Sequence, residues 1–300
     1  MDLLLPPGTE LPDWADSINY GKARVIDGLP NHEYHSIAAR SLVSKGALDR
    51  FSRSPAHYLH YLTNLDPEPE KSDALILGAA FHCLLLEPEV FEREYVLLPD
   101  FGDMRSSTKR AIRDKWIAER PGVTPLRAGM WRQIHDMRES VLRHKKLRRI
   151  LENGRPELTC IAMCPHTGLP RKCRFDWVSE IDGLGLDLKS AIDGCPDKWR
   201  REAANRRYHV QDTYYTETAQ LAGIDMDIMG FGVVEKEPPY VCGLYTIPVD
   251  ARLAGEMAYM RELAQLAECC ESGEFPGYGG GDALELEFPR YAIQDVETVP

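Results

Sequence analysis

No apolar run in this 300-residue chain approaches the ~20 residues that cross a bilayer. The opening residues, MDLLLPPGTELPDW, lack the basic start and small-residue cleavage site of a secretory leader. Both absences lead to the expectation of a cytoplasmic protein without a membrane partner. Basic charge is also scarce. The formal net charge is -11 and the pI is near 5.4, which excludes a chain that coats nucleic acid non-specifically but leaves room for a local basic channel. Eight cysteines are present, yet no pair of C-x-x-C motifs and no set of four thiolates at cluster spacing. They read as small hydrophobes in a reducing compartment, and no structural metal is expected. No internal repeat is visible. What remains is ordinary for a soluble globular protein, 43% hydrophobic and 28% charged.

The informative stretch is RKCRFDWVSEIDGLGLDLKS, residues 171–190. Phe175 to Val178 reads as a strand, Glu180 to Gly185 as turn residues, and Leu184 to Lys189 as a second strand. Period-2 alternation puts Leu186 and Leu188 on one face and Asp187 and Lys189 on the other. A bare D-x-K is mostly a solvated edge. Here Asp176 stands on the partner strand, Glu157 lies upstream, and a helix with Gln211 and Tyr215 on one face follows.

Taken in order, residues 1–24 are proline-rich and aperiodic, a loose or docked arm. A helical portion spans 31–152. Ser41 or Ser44 caps a helix through about Arg53, and Ser54-Pro55 starts another, with Leu48, Phe51, Tyr58, Leu59 and Leu62 inward. Asp66 to Ser72 is a loop, and Asp73 opens an apolar helix carrying His82 and stopped at Pro88. Tyr95 to Val123 reads as a long connection with one short helix. A single long helix is expected from about Thr124 to Glu152, ending in six basic residues between 143 and 149. A catalytic sheet core covers 155–270. It contains strands at 157–164, 169–178, 184–189, 228–234 and 241–247, a basic helix at 198–208, the Gln211 helix, and a last helix from about Asp250 to Cys270. Residues 271–300 form an irregular tail. Arg143, Lys145, Lys146, Arg148 and Arg149, with Lys198, Arg200, Arg201, Arg206 and Arg207, are candidate phosphate contacts.

The ordered set PNHEYH, Ser44-Lys45, GAAFHCLLLEPEVF, Glu157, RKCRFDWV, LDLKSA and YHVQDTYY resembles the exonuclease VIII (RecE-type) 5′→3′ double-strand DNA exonucleases, within the PD-(D/E)xK superfamily. The likeness covers roughly residues 25 to 289. It implies an α/β fold with a restriction-endonuclease-like core, a mixed central sheet flanked by helices behind a helical N-terminal part. It also implies an active site at His82, Glu157, Asp176, Asp187, Lys189, Gln211 and Tyr215, with Phe175-Asp176 in place of the superfamily's Pro-Asp. In that reading Asp176, Asp187, the Leu188 carbonyl, His82 and Glu157 hold Mg²⁺ or Mn²⁺, hard ions suited to oxygen donors. Lys189 orients the attacking water, Gln211 and Tyr215 position the reacting groups, and Lys45 belongs to the DNA contacts. The resemblance further implies duplex DNA ends as substrate, a ring-shaped homotetramer, and a single-strand annealing protein as partner in recombination. Two other functions stay open: a different PD-(D/E)xK enzyme that cuts internally, and a nucleic-acid-binding or assembly protein that has lost catalysis.

Overall fold

Apolar residues at every second position between 155 and 191 build three long antiparallel strands, and the rest of the molecule packs on them. The computed structural model describes residues 13–64, 72–103 and 105–289. In chain order, a 3-10 turn at Asp13–Tyr20 precedes β1 (Arg24–Ile26), α1 (Asn31–Tyr34), α2 (Lys45–Phe51), α3 (Pro55–Thr63), α4 (Asp73–Leu86) and α5 (Pro88–Glu94). There follow β2 (Tyr95–Leu97), α6 (Ser107–Ala118), β3 (Thr124–Leu126), α7 (Ala128–Arg143) and α8 (Lys145–Glu152). The core consists of β4 (Arg155–Met163), β5 (Pro170–Ser179), β6 (Leu184–Ala191), α9 (Pro196–Asn205), α10 (Tyr208–Leu221), β7 (Ile228–Glu235), β8 (Cys242–Thr246) and α11 (Val249–Ser272).

The main sheet has the order β1-β4-β5-β6-β7-β8, and only β6 and β7 are parallel. That one parallel step needs a crossover, supplied by α9 and α10. Leu186 and Leu188 face α4, α7 and α8 through Phe81, Ile134, Met137, Val141 and Leu147. On the other face, Cys160, Cys173, Phe175 and Phe231 pack on Trp199, Tyr208 and Ala219 of α9 and α10. Beyond α10, a further core joins α2, α3 and α11. The mixed α/β fold with a mixed sheet between helices is the one expected.

Several local expectations need correction. The long helix at 124–152 does not exist: Thr124 begins a strand, and the helical part breaks at His144 (φ -75°, ψ 108°). His144 Nδ1 accepts the Leu147 N–H at 3.3 Å and so caps α8. Lys145 and Lys146 therefore sit in a first helical turn, the electrostatically unfavourable end for cations, not at a C-terminus. The supposed connection at 95–123 contains β2, which pairs in parallel with β3 as a separate two-stranded ribbon, and the twelve-residue α6. The basic helix expected at 198–208 ends at Asn205, and Tyr208 opens the next one. Ser44, not Ser41, caps α2, which stops at Phe51 rather than at Arg53. Ser54-Pro55 starts α3 as expected, although Leu59 is only half-buried. Most of the expected loop at 66–72 lies outside the described residues, and Ser72 caps α4. Of the expected arm, residues 1–12 lie outside the described part, while Trp14, Ala15 and Ile18 dock against Leu29, Tyr34 and Leu42. Arg24 already belongs to β1, whose register is Arg24↔Ile161.

Candidate active site

The site begins where two strands part. β5 and β6 pair over only three positions, Trp177↔Leu186, Val178↔Gly185 and Ser179↔Leu184. β6 then continues along β7 as far as Ala191↔Glu235, while β5 follows β4. In the resulting fork the Asp176 carboxylate replaces the missing ladder partner and accepts the Leu188 N–H at 2.6 Å. From α4, His82 Nδ1 comes to 3.6 Å of the same Asp176 Oδ2. Asp187, nearly buried, accepts from Gln211 Nε2 through Oδ1 at 2.7 Å and faces the Lys189 ammonium through Oδ2. That oxygen is buried, and the Lys189 ammonium is the group that faces it. Lys189 Nζ lies 4.9 Å from the centroid of the Tyr208 ring, which stacks on Phe231.

Glu157 approaches from β4 by a bend. Its φ is +49°, a left-handed conformation that costs a non-glycine residue about 1–3 kcal/mol and that clusters at functional sites. The β4–β5 register runs Pro156↔Trp177 and then Leu158↔Phe175, so Glu157 and Asp176 stand opposite each other at the step left unpaired. Arg174 closes this corner: Nε pairs with Glu157 Oε2 at 2.8 Å, Nη2 donates to Asn31 Oδ1 at 2.7 Å, and the guanidinium lies over Tyr34 at 4.4 Å.

Burial dominates the electrostatics. It pushes the Glu157 carboxyl up to about 7 against the opposing pull of Arg174, with Asp176, Glu87 and Asp187 adding to the rise. Asp176 is raised for the same reason, His82 counteracting and Asp187 reinforcing. Burial works to lower Lys189, but Asp187, Tyr208 and Asp176 overcome it and hold the amine well above its ordinary value. At neutral pH Lys189 is a cation, not a base.

The structure thus gathers His82, Asp176, Asp187, Leu188, Lys189 and Gln211, with Glu157 at the adjoining corner. Tyr215 sits one turn beyond Gln211, edge-on to Phe175 at 5.3 Å, so Gln211 makes the direct contact with Asp187. Two neighbours escaped the sequence reading, Arg174 and Tyr208. A signal for Arg174 was present: Arg171-Lys172-Cys173-Arg174 puts three cations on an interior strand, where charge needs partners. Nothing comparable marks Tyr208.

The candidate DNA contacts divide. Lys45 packs near the site, paired with Asp49 at 2.7 Å, donating to the Arg206 carbonyl at 2.6 Å and facing Tyr208. Arg207 is tied to Asp49 and Glu262, Arg206 to Glu202, and Arg200 to Asp197. Arg143, Arg148 and Arg149 pair with Glu139, Glu152 and Asp182, in the helical layer on the Leu186–Leu188 face of the sheet. Lys145, Lys146, Lys198 and Arg201 are exposed and make no ion pair among the described residues.

The donors suit a hard divalent cation by their chemistry, with two or three carboxylates, a carbonyl and an imidazole. Among the described residues no three His, Cys, Asp or Glu side chains converge into a ready-made cage. The internal cations account for this, since Lys189 takes Asp187 and Arg174 takes Glu157.

The sequence model of a protein family described as a PDDEXK-like domain of unknown function matches residues 44–286. A crystal structure described as a "putative exonuclease" from Eubacterium rectale resembles this one with a TM-score of 0.53 at 14% identity, covering 90% of this chain and 99% of that one. At that identity the likeness is one of fold. No curated protein matches.

Proposed function

Because the chain belongs to this PDDEXK-like family, within the PD-(D/E)xK superfamily, we propose that it is a divalent-metal-dependent nuclease that hydrolyses phosphodiester bonds. The observation that carries the reading is the fork itself. It brings Asp176, Asp187 and a protonated Lys189 to one point, with Gln211 fixing the orientation of Asp187. The finer reading is a 5′→3′ exodeoxyribonuclease that degrades linear duplex DNA from its ends. It acts in the cytoplasm as a homo-oligomeric ring beside a single-strand annealing protein.

Asp176, Asp187 and the Leu188 carbonyl would hold Mg²⁺ or Mn²⁺, with His82 and Glu157 on the outer side. The bound cation supplies Lewis acidity, relieving charge on the phosphate and acidifying a water. The protein's own groups do the positioning. Lys189, kept charged by its surroundings, orients the attacking water and offsets negative charge that grows on the phosphate. Gln211 holds Oδ1 of Asp187 so that Oδ2 faces the reacting centre. His82 and the Leu188 N–H fix the Asp176 carboxylate from two sides.

Incubation with Mg²⁺ of linear duplex labelled at the 5′ or the 3′ end, beside a covalently closed circle, tests both levels. An exonuclease of this polarity releases the 5′ label first and leaves the circle intact. A nicked circle would retain the nuclease and replace the exonuclease with an endonuclease. Full cleavage in excess chelator would remove the metal argument altogether.

A further inference from the structure

One carboxylate of the fork already has a cation on it, and that cation cannot swing away. Arg174 Nε pairs with Glu157 Oε2 at 2.8 Å, and only 14% of the arginine side chain is exposed. Both of its other holds come from α1: Asn31 Oδ1 accepts from Nη2 at 2.7 Å, and the Tyr34 ring centre lies 4.4 Å from the guanidinium. The remaining nitrogen, Nη1, is buried and makes no hydrogen bond among the described residues. An unpaired buried donor is costly, and it leaves the guanidinium with charge that its neighbours do not use.

The balance of charge bears on how many ions fit. Asp176, Asp187 and Glu157 face the fixed cations Lys189 and Arg174, while Glu87 behind the corner faces Arg93 as well as Arg174. With His82 neutral, as a ligand imidazole must be, the three carboxylates and two fixed cations leave one negative charge. A single divalent ion turns that into one positive charge, which a phosphodiester cancels. A second would leave a positive excess in a buried setting that water screens poorly. Glu157 and Asp176, opposite each other at the unpaired step, are the carboxylates a second ion would have to bridge. Arg174 stands on one of them.

We propose that Arg174 is a positioning residue that acts as the site's fixed second cation, holding Glu157 on the outer side and excluding a second divalent ion. The inference rests on the metal-dependent nuclease reading and adds to it the number of ions used.

Calorimetry of Mn²⁺ binding to the full chain, without nucleic acid, reads that number directly. The parent protein should bind one equivalent. Arg174→Met should take up a second ion at least about tenfold more tightly than the parent does, because a repelling charge is gone. Adding Glu157→Gln should abolish the gain, and Arg174→Lys, which keeps the charge, should stay at one equivalent. An arginine with only a structural role would leave one equivalent in every variant, and that result overturns the proposal. So do two tight ions in the parent, a measurement that needs no variant to fold. A parent chain that binds no Mn²⁺ and cuts nothing loses the nuclease reading, and the inference falls with it.

Discussion

Asp187 and Lys189 neutralise each other, yet they should fail in different ways. Asp187→Ala removes a ligand carboxylate and leaves a buried cation uncompensated, so Mn²⁺ affinity and cleavage should both collapse. Lys189→Ala removes only the competing charge, so Mn²⁺ should bind as well or better. Cleavage should nonetheless fall by about two to four orders of magnitude. Calorimetry beside single-turnover cleavage separates the two quantities, and a parent rate in Lys189→Ala would make the lysine a bystander. Arg174 invites a different test. Removing it as Arg174→Met strands Glu157, at a cost of about 2–3 kcal/mol in urea unfolding, and combining it with Glu157→Gln should recover most of that loss. Equal losses in single and double variants would show that the pair carries no coupling. That Asp176, Asp187, Lys189 and Gln211 converge was legible because their order and strand alternation are local. The Arg174–Glu157 corner was not, because it depends on the left-handed bend at Glu157, which sequence does not announce.

The elements differ in how plainly the sequence announces them. β5 and β6 carry clear alternation, and Ser54-Pro55 starts α3 by capping chemistry that any reader can see. The division of α7 from α8 was hidden. Val141, Leu147 and Ile150 continue an apolar rhythm through His144, and the imidazole's cap on Leu147 ends one helix and starts the next. β2 and β3 were hidden for another reason: each is three residues long, and each is a strand only because of a partner 29 positions away. Arg207 shows how one element is seated. It precedes α10 at φ +56° and holds Asp49 and buried Glu262, so this candidate DNA contact is also an anchor. Arg207→Gly and Arg207→Ala both lose the two ion pairs, but glycine accepts the left-handed backbone. The alanine variant should therefore be less stable by about 1 kcal/mol in urea midpoints. Equal midpoints would mean that the backbone stores no strain there.

For the whole molecule, the net charge of -11 conceals the cations buried on β5, and one of them should shape stability against pH. Lys172 is buried, donating to the Tyr34 carbonyl at 2.7 Å and lying over its ring. Burial, with Arg174 and Arg40, lowers its amine to about 7. An unfolded lysine titrates near 10.4, so between these values the unfolded chain binds one more proton and stability rises with pH. Below pH 7 both states are protonated and the penalty is complete, on the order of 5 kcal/mol. Lys172→Met should flatten that rise, as urea unfolding at pH 6.5, 8 and 9.5 would show. A parent-like slope in the variant would assign the pH dependence elsewhere.

The ribbon of β2 and β3 has a consequence of its own. Leu97 pairs with Leu126 and Tyr95 with Thr124, so the chain leaves the ribbon after Leu97 and re-enters at Thr124 only about 8 Å from that residue. The ribbon works like a bayonet mount. Whatever hangs between those points, α6 with its lysines and arginines in the present case, can be lengthened, shortened or exchanged while the main sheet keeps its shape. A lineage carrying this fold could remodel that insertion without disturbing the strands that carry the candidate site.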